Sequence, residues 1–149
     1  MNVIRKSLVY EVIASLFILL FVYAALSKIM DFEKFRVELG KSPVLNAFSG
    51  IVAVVIPVIE IIISIYLATK RYQLIAFYAA FMLMVVFSAY IVDILNFSSY
   101  VPCSCGGVLQ NMSWPQHLVF NIGFIILSII AILIYPNQNQ NLMRNKRES

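Results

Sequence analysis

The sequence predicts an all-α integral membrane protein, a four-helix bundle that crosses the bilayer four times with both termini cytoplasmic. Three observations predict it. First, the 149 residues are 62% hydrophobic and only 12% charged, roughly half the ~25% charged fraction of a soluble domain. Second, the apolar residues fall into four runs, each near the ~20 residues that a helix needs to cross a ~30 Å hydrocarbon core. Third, the basic residues gather at the ends of those runs, with more on one side than the other.

The runs cover residues 8–29, 44–68, 72–95 and 118–135. A mean hydropathy of +0.90 leaves far more apolar surface than one small core can absorb, so the surplus must face lipid. Helices are the only option for such runs, because backbone polar groups in hydrocarbon must be satisfied within the segment. The first run has some features of a signal peptide: Arg5 and Lys6 before it, and small residues Ala24, Ala25 and Ser27 near its end. Its apolar stretch exceeds the ~7–15 residues of such a segment, so it reads as a retained span. Residues 31–43 are amphipathic and predict a short interfacial helix. Lys70 and Arg71 form a tight turn, which makes the second and third spans an antiparallel hairpin. Residues 1–135 form one membrane domain. Residues 136–149 are rich in Asn and Gln, then basic, and predict a solvated, flexible cytoplasmic tail.

Orientation follows from Lys and Arg. Arg5, Lys6, Lys70, Arg71, Arg144, Lys146 and Arg147 share one side of the membrane. Lys28, Lys34, Arg36 and Lys41 share the other. The larger group belongs in the cytoplasm, which puts the loop 96–116 outside it. These positions also account for the net charge of +4. No basic stripe is interleaved with aromatics, so nothing points to nucleic acid.

The loop holds both cysteines, Cys103 and Cys105, separated only by Ser104. Cysteines two residues apart lie near the upper limit of Cα separation for a disulfide. A bond between them is strained, and strained disulfides are the exchanging kind. A structural staple gains stability by closing a long loop, and this pair closes almost none. Pro102 before the pair and Gly106-Gly107 after it favour a sharp, accessible turn. The competing readings are two inert loop cysteines or a metal site. Two thiolates with His117 give three ligands, one short of a closed zinc site, so no metal is assigned.

Polar residues near the loop and within the spans are the other candidates. His117, the only histidine, starts the fourth span beside Trp114 and Pro115. It either stabilises a thiolate or sits in the headgroup region with Trp114 as a belt residue. Asp93, with Tyr90 one turn earlier, lies near the outer end of the third span. It is a proton partner for thiol chemistry or a helix-end residue in water. Glu60 lies deep in the second span, three residues after Pro57, and an acid at that depth is a functional candidate. Its alternatives are a protonated carboxyl or a hydrogen bond to a facing tyrosine. Lys28 can pair with Asp93 or snorkel outward. Asn121 can hydrogen-bond across the bundle.

The segment Pro102-Cys103-Ser104-Cys105-Gly106-Gly107, followed by Trp114, His117 and Asn121, resembles the MauE branch of the DoxX-like membrane proteins. Those proteins place a Cys-x-Cys with Gly just before the last of four spans, which carries an Asn near its start. The first span ending Tyr23-Ala24-Ala25-Leu26-Ser27-Lys28, then Asp31 and Phe32, is similar to the first helix of that group, as is Pro57 followed by Glu60. The resemblance covers the chain to about residue 135. Members often carry an aromatic residue between the second Cys and the Gly, where this chain has Gly106 directly.

The resemblance implies a multi-pass protein of the bacterial inner membrane that works beside an extracytoplasmic thioredoxin-like protein. In methylamine utilisation such proteins are associated with maturing a disulfide-rich periplasmic subunit. On this reading Cys103 and Cys105 cycle between dithiol and disulfide, while His117 and Asp93 tune them or carry protons. A second reading adds a lipid quinone as cofactor, held near Glu60, Tyr66 and Tyr90. A third is a non-enzymatic maturation factor that docks a disulfide-containing client. A fourth, a small transporter, has only a thin pathway in four short spans.

Overall fold

The computed structural model describes residues 3–70, 72–97 and 112–148. Among these residues there are five α-helices: α1 (Val3–Met30), α2 (Phe32–Gly40), α3 (Ser49–Ala68), α4 (Gln73–Phe97) and α5 (Trp114–Glu148). A 3-10 turn, Asn46–Phe48, leads into α3. There is no strand among the described residues. Four segments are long and apolar enough to cross a membrane: Ile4–Met30, Asn46–Ala68, Gln73–Phe97 and Trp114–Tyr135. The four-span, all-helical architecture therefore stands as the sequence predicts.

The helices run up and down. Tyr10 near the start of α1 meets Tyr135 of α5, with ring centroids 5.7 Å apart. Glu11 meets Lys70 of the α3–α4 turn at 3.4 Å. We call this the Lys70 end of the bundle and the opposite end the α2 end. Helix α1 packs on α3 and α5, and α4 packs on α3 and α5.

Each span buries one narrow stripe. In α1 the stripe includes Tyr10, Ile13, Ala14, Phe17, Phe21 and Ala25; in α3 it is Ala53, Pro57, Glu60, Ile63, Ser64 and Leu67. Steps of three and four residues keep these on one helical face. Phe17 is the aromatic centre, with edge-on contacts to Phe77 at 5.9 Å and Phe124 at 5.0 Å. Small residues such as Ala80, Ala131 and Ser128 let the backbones approach, which matters where lipid competes equally for every apolar side chain. The lipid-facing sides are equally apolar, with Leu19, Ile51, Met82 and Val119 among the exposed side chains. That is why the sequence shows runs rather than a one-sided pattern.

Helix α2 confirms the expected amphipathic helix. It lays Phe35 and Leu39 against Ala53 of α3, with Phe32, Leu45 and Val52 around them. Lys34 and Arg36 stay exposed. The α3–α4 hairpin is tied by the Gln73 side chain, whose Nε2 donates to the Leu67 carbonyl at 2.9 Å. Gln73 thereby meets one of the carbonyls that a helix end leaves without an internal partner.

Two boundaries differ from the sequence expectation. The second span was expected from residue 44, but α3 begins at Ser49 after the 3-10 turn. The last span was expected to end at residue 135 with an irregular tail. Its apolar part does end at Tyr135, yet the helix continues to Glu148. Asn, Gln, Lys and Arg lower the hydropathy there without preventing helical backbone. Pro136 removes one N–H from the ladder but does not end the helix.

Candidate functional site

Lys28, Glu60, His117 and Asn121, the candidate polar residues of α1, α3 and α5, lie toward the α2 end. Lys28 continues the buried stripe of α1, seven residues beyond Phe21, so its side chain enters the bundle rather than pointing outward. Glu60 occupies the buried stripe of α3, about 16 Å from the start of that helix at 1.5 Å per residue. The two meet directly: Lys28 Nζ donates to Glu60 Oε1 at 2.7 Å, with the side chains 11% and 1% exposed. The pairing of Lys28 with Asp93, or its reach outward, is therefore not what the structure has. Nor does Glu60 rely on a facing tyrosine.

The ammonium also reaches the other spans. Its Nζ lies 5.6 Å from the Phe87 ring centroid on α4 and 5.9 Å from that of Phe35 on α2. Aromatic faces at these distances attract a cation. Lys28 thus reaches side chains of α3, α4 and α2 at once.

His117 is held by the start of α5. Ser113 precedes the helix, and its backbone N–H donates to Gln116 Oε1 at 3.0 Å, the return half of a capping box. The His117 N–H donates to the Ser113 carbonyl at 2.9 Å, the first hydrogen bond of α5. The Trp114 and His117 rings are stacked, 6.2 Å between centroids. His117 Nδ1 is buried without a hydrogen-bond partner. Asn121, one turn further on the same face, is 3% exposed, and its Nδ2 is likewise unpartnered.

The remaining candidates divide. Asp93 and Tyr90 are half-buried in the last third of α4. Tyr66 lies elsewhere: it is 45% exposed toward the Lys70 end of α3, with its ring edge-on to Tyr72 at 5.9 Å. Six residues separate it from Glu60, which puts the two side chains on different faces of α3. The expected grouping of Glu60, Tyr66 and Tyr90 is therefore not brought together. Cys103 and Cys105 lie outside the described residues. Among the described residues, no three His, Cys, Asp or Glu side chains gather as a metal site would require.

The Lys28–Glu60 pair is what sequence reading missed. The signal was present, since each residue falls on the three-and-four spacing of its helix's buried stripe. It was hidden because the lipid-facing positions are just as apolar.

A family model described as methylamine utilisation protein MauE matches residues 6–134. The chain belongs to the MauE family. The matched region takes in all four spans, the Lys28–Glu60 pair and the Cys103-Ser104-Cys105 segment. The chain is also similar to the methylamine utilization protein MauE of Paracoccus denitrificans, at 35% identity over 120 residues. That alignment covers 78% of this chain and 62% of the Paracoccus protein, so the chain spans less than two thirds of that relative's length. No solved structure matches it.

Proposed function

We propose that this MauE-family chain handles thiol–disulfide exchange at the extracytoplasmic face of a bacterial inner membrane. Cys103 and Cys105 are the exchanging pair, and a thioredoxin-like protein is the partner. Both termini are then cytoplasmic, and the α2 end faces outward. The observation that carries the reading is the family match through the Cys-Ser-Cys segment, which leads into a helix whose first turn holds His117. The relative's name ties it to methylamine utilisation. The corresponding role here is maturation of a periplasmic protein that needs its disulfides formed or rearranged.

The exchange balances within the two proteins. A thiolate of the partner attacks one sulfur of the Cys103–Cys105 disulfide, forms a mixed disulfide and releases the other sulfur as a thiolate. The partner's second thiolate then attacks the mixed disulfide. The partner leaves oxidised and the Cys103/Cys105 pair is left as a dithiol, with two electrons transferred. The reverse sequence runs by the same steps. A histidine in the first turn after the loop can hold or supply the proton that a thiol loses or gains. Asp93 is the second candidate for that task.

The test uses Cys103→Ser and Cys105→Ser separately, each mixed with a purified thioredoxin-like protein whose one remaining, attacking cysteine carries glutathione as a mixed disulfide, so that a Cys103 or Cys105 thiolate forms the adduct by displacing glutathione. One variant is expected to accumulate a covalent adduct that a reductant dissolves, and both are expected to lose exchange activity. If neither variant captures the partner and both keep full activity, the redox role fails. The chain is then a non-enzymatic maturation factor.

A further inference from the structure

Among the described residues, five buried polar atoms at the α2 end have no hydrogen-bond partner; Glu38 Oε2 and Ser42 Oγ belong to α2 and the residue after its cap, and the other three, Glu60 Oε2, His117 Nδ1 and Asn121 Nδ2, belong to the spans. Glu60 and Asn121 are 1% and 3% exposed, so lipid headgroups and bulk water do not meet them. Lys28 joins them. One of its three N–H groups goes to Glu60 Oε1 at 2.7 Å. The group therefore offers donors from Lys28 and Asn121, an acceptor at Glu60 Oε2, and a ring nitrogen that can serve either way.

The composition selects the ligand. A metal cation would have to sit beside the Lys28 charge with too few ligands. An anion would meet the Glu60 carboxylate. A small neutral molecule that both donates and accepts satisfies all of the free atoms, and buried polar atoms of this kind are met by internal water.

We propose that Lys28, Glu60, His117 and Asn121 bind water inside the bundle, forming a hydrated polar site that links the Glu60 carboxylate to the α2 end through His117. The site extends over about one turn of α5, between His117 and Asn121, and is flanked by the Phe87 ring. The chemistry it permits is proton exchange. A proton enters at one ring nitrogen or carboxylate oxygen as another leaves to the neighbouring water, so the net charge is unchanged. Other titratable groups at this end, among the described residues, are Tyr90 and Asp93 on α4, and Glu38 on α2, whose Oε1 meets Lys41 at 3.1 Å and whose Oε2 has no partner. Tyr23 on α1 and the exposed Asp31, Glu33, Lys34 and Arg36 also lie toward this end.

This proposal does not depend on the thiol reading, and its test needs no cysteine. The full chain in lipid nanodiscs is exposed to millisecond X-ray pulses, which turn bound water into hydroxyl radicals that oxidise adjacent side chains. Oxidation of three phenylalanines on α4 is then counted by mass spectrometry. Phe87 is expected to oxidise several-fold faster than buried Phe77 and half-buried Phe81. Asn121→Leu should slow Phe87, and the double variant Lys28→Met/Glu60→Gln should bring it down to the rate of Phe77. A wild-type Phe87 rate no higher than those of Phe77 and Phe81 overturns the proposal, as does a rate that Asn121→Leu leaves unchanged. The comparison within wild type stands even if the double variant fails to fold.

Discussion

Lys28→Met isolates the energetics of the site. It deletes the ammonium from a 2.7 Å contact in which Glu60 is almost fully enclosed. Removing one partner of a buried ion pair costs about 3–5 kcal/mol. Chemistry limits the upper end here, because a stranded Glu60 can take up a proton. Neutralising a carboxyl of ordinary pKa ~4.3 at pH 7 costs about 3.7 kcal/mol, at about 1.36 kcal/mol per pH unit. The expected loss is about 3–4 kcal/mol at pH 7. It shrinks as the pH falls, since the proton is then easier to supply. Reversible unfolding in mixed micelles with increasing SDS measures it, and Trp114, the single tryptophan, reports the α2 end by fluorescence. Lys28→Met/Glu60→Gln removes both charges and should recover most of the loss, which a double-mutant cycle reads as coupling. A Lys28→Met loss below about 0.5 kcal/mol, the range of an ordinary surface change, would refute a buried pair. So would a double variant as unstable as the sum of the singles.

Other consequences follow from the packing. Phe17→Ala removes a fully buried ring that contacts Phe21, Phe77 and Phe124. Three aromatic pairs at about 0.5–1.5 kcal/mol each predict a loss of about 1.5–4.5 kcal/mol, whereas Val119→Ala, 70% exposed, should be nearly silent in the same SDS titration. Gln73→Leu strands the Leu67 carbonyl at the α3–α4 turn and should cost about 1–3 kcal/mol, with faster amide exchange in the last turn of α3. A membrane-impermeant thiol reagent should label Cys103 and Cys105 in intact cells with a permeable outer membrane after reduction. If labelling requires the inner membrane to be opened, the proposed orientation is inverted.

Much of this was legible in the sequence, for a local reason. Whether a segment crosses a bilayer depends on the hydropathy of about 20 consecutive residues, and 8–29 or 118–135 can be judged without their neighbours. The amphipathic α2 and the Lys70 turn were legible on the same ground. Helix ends were less so. Hydropathy falls at Tyr135, but hydrogen bonding continues to Glu148, since the end of an apolar run and the end of a helix are set by different forces. The candidate site was legible in part. Glu60 stood out as an acid in a span and His117 as the only histidine, but the partner of Glu60 did not.

The sequence by itself determined that this is a four-span helical membrane protein with a Cys-x-Cys ahead of its last span, because those are properties of contiguous residues. Only the tertiary structure decided that Lys28 turns inward to Glu60, that Tyr66 sits toward the opposite end, and that His117 and Asn121 share the Lys28 end of the bundle. Lys28 and Glu60 lie 32 residues apart on helices whose lipid-facing and inward faces are equally apolar. Which face turns inward is settled by how small residues and Phe17 let the helices pack, and that choice appears only when all four are together.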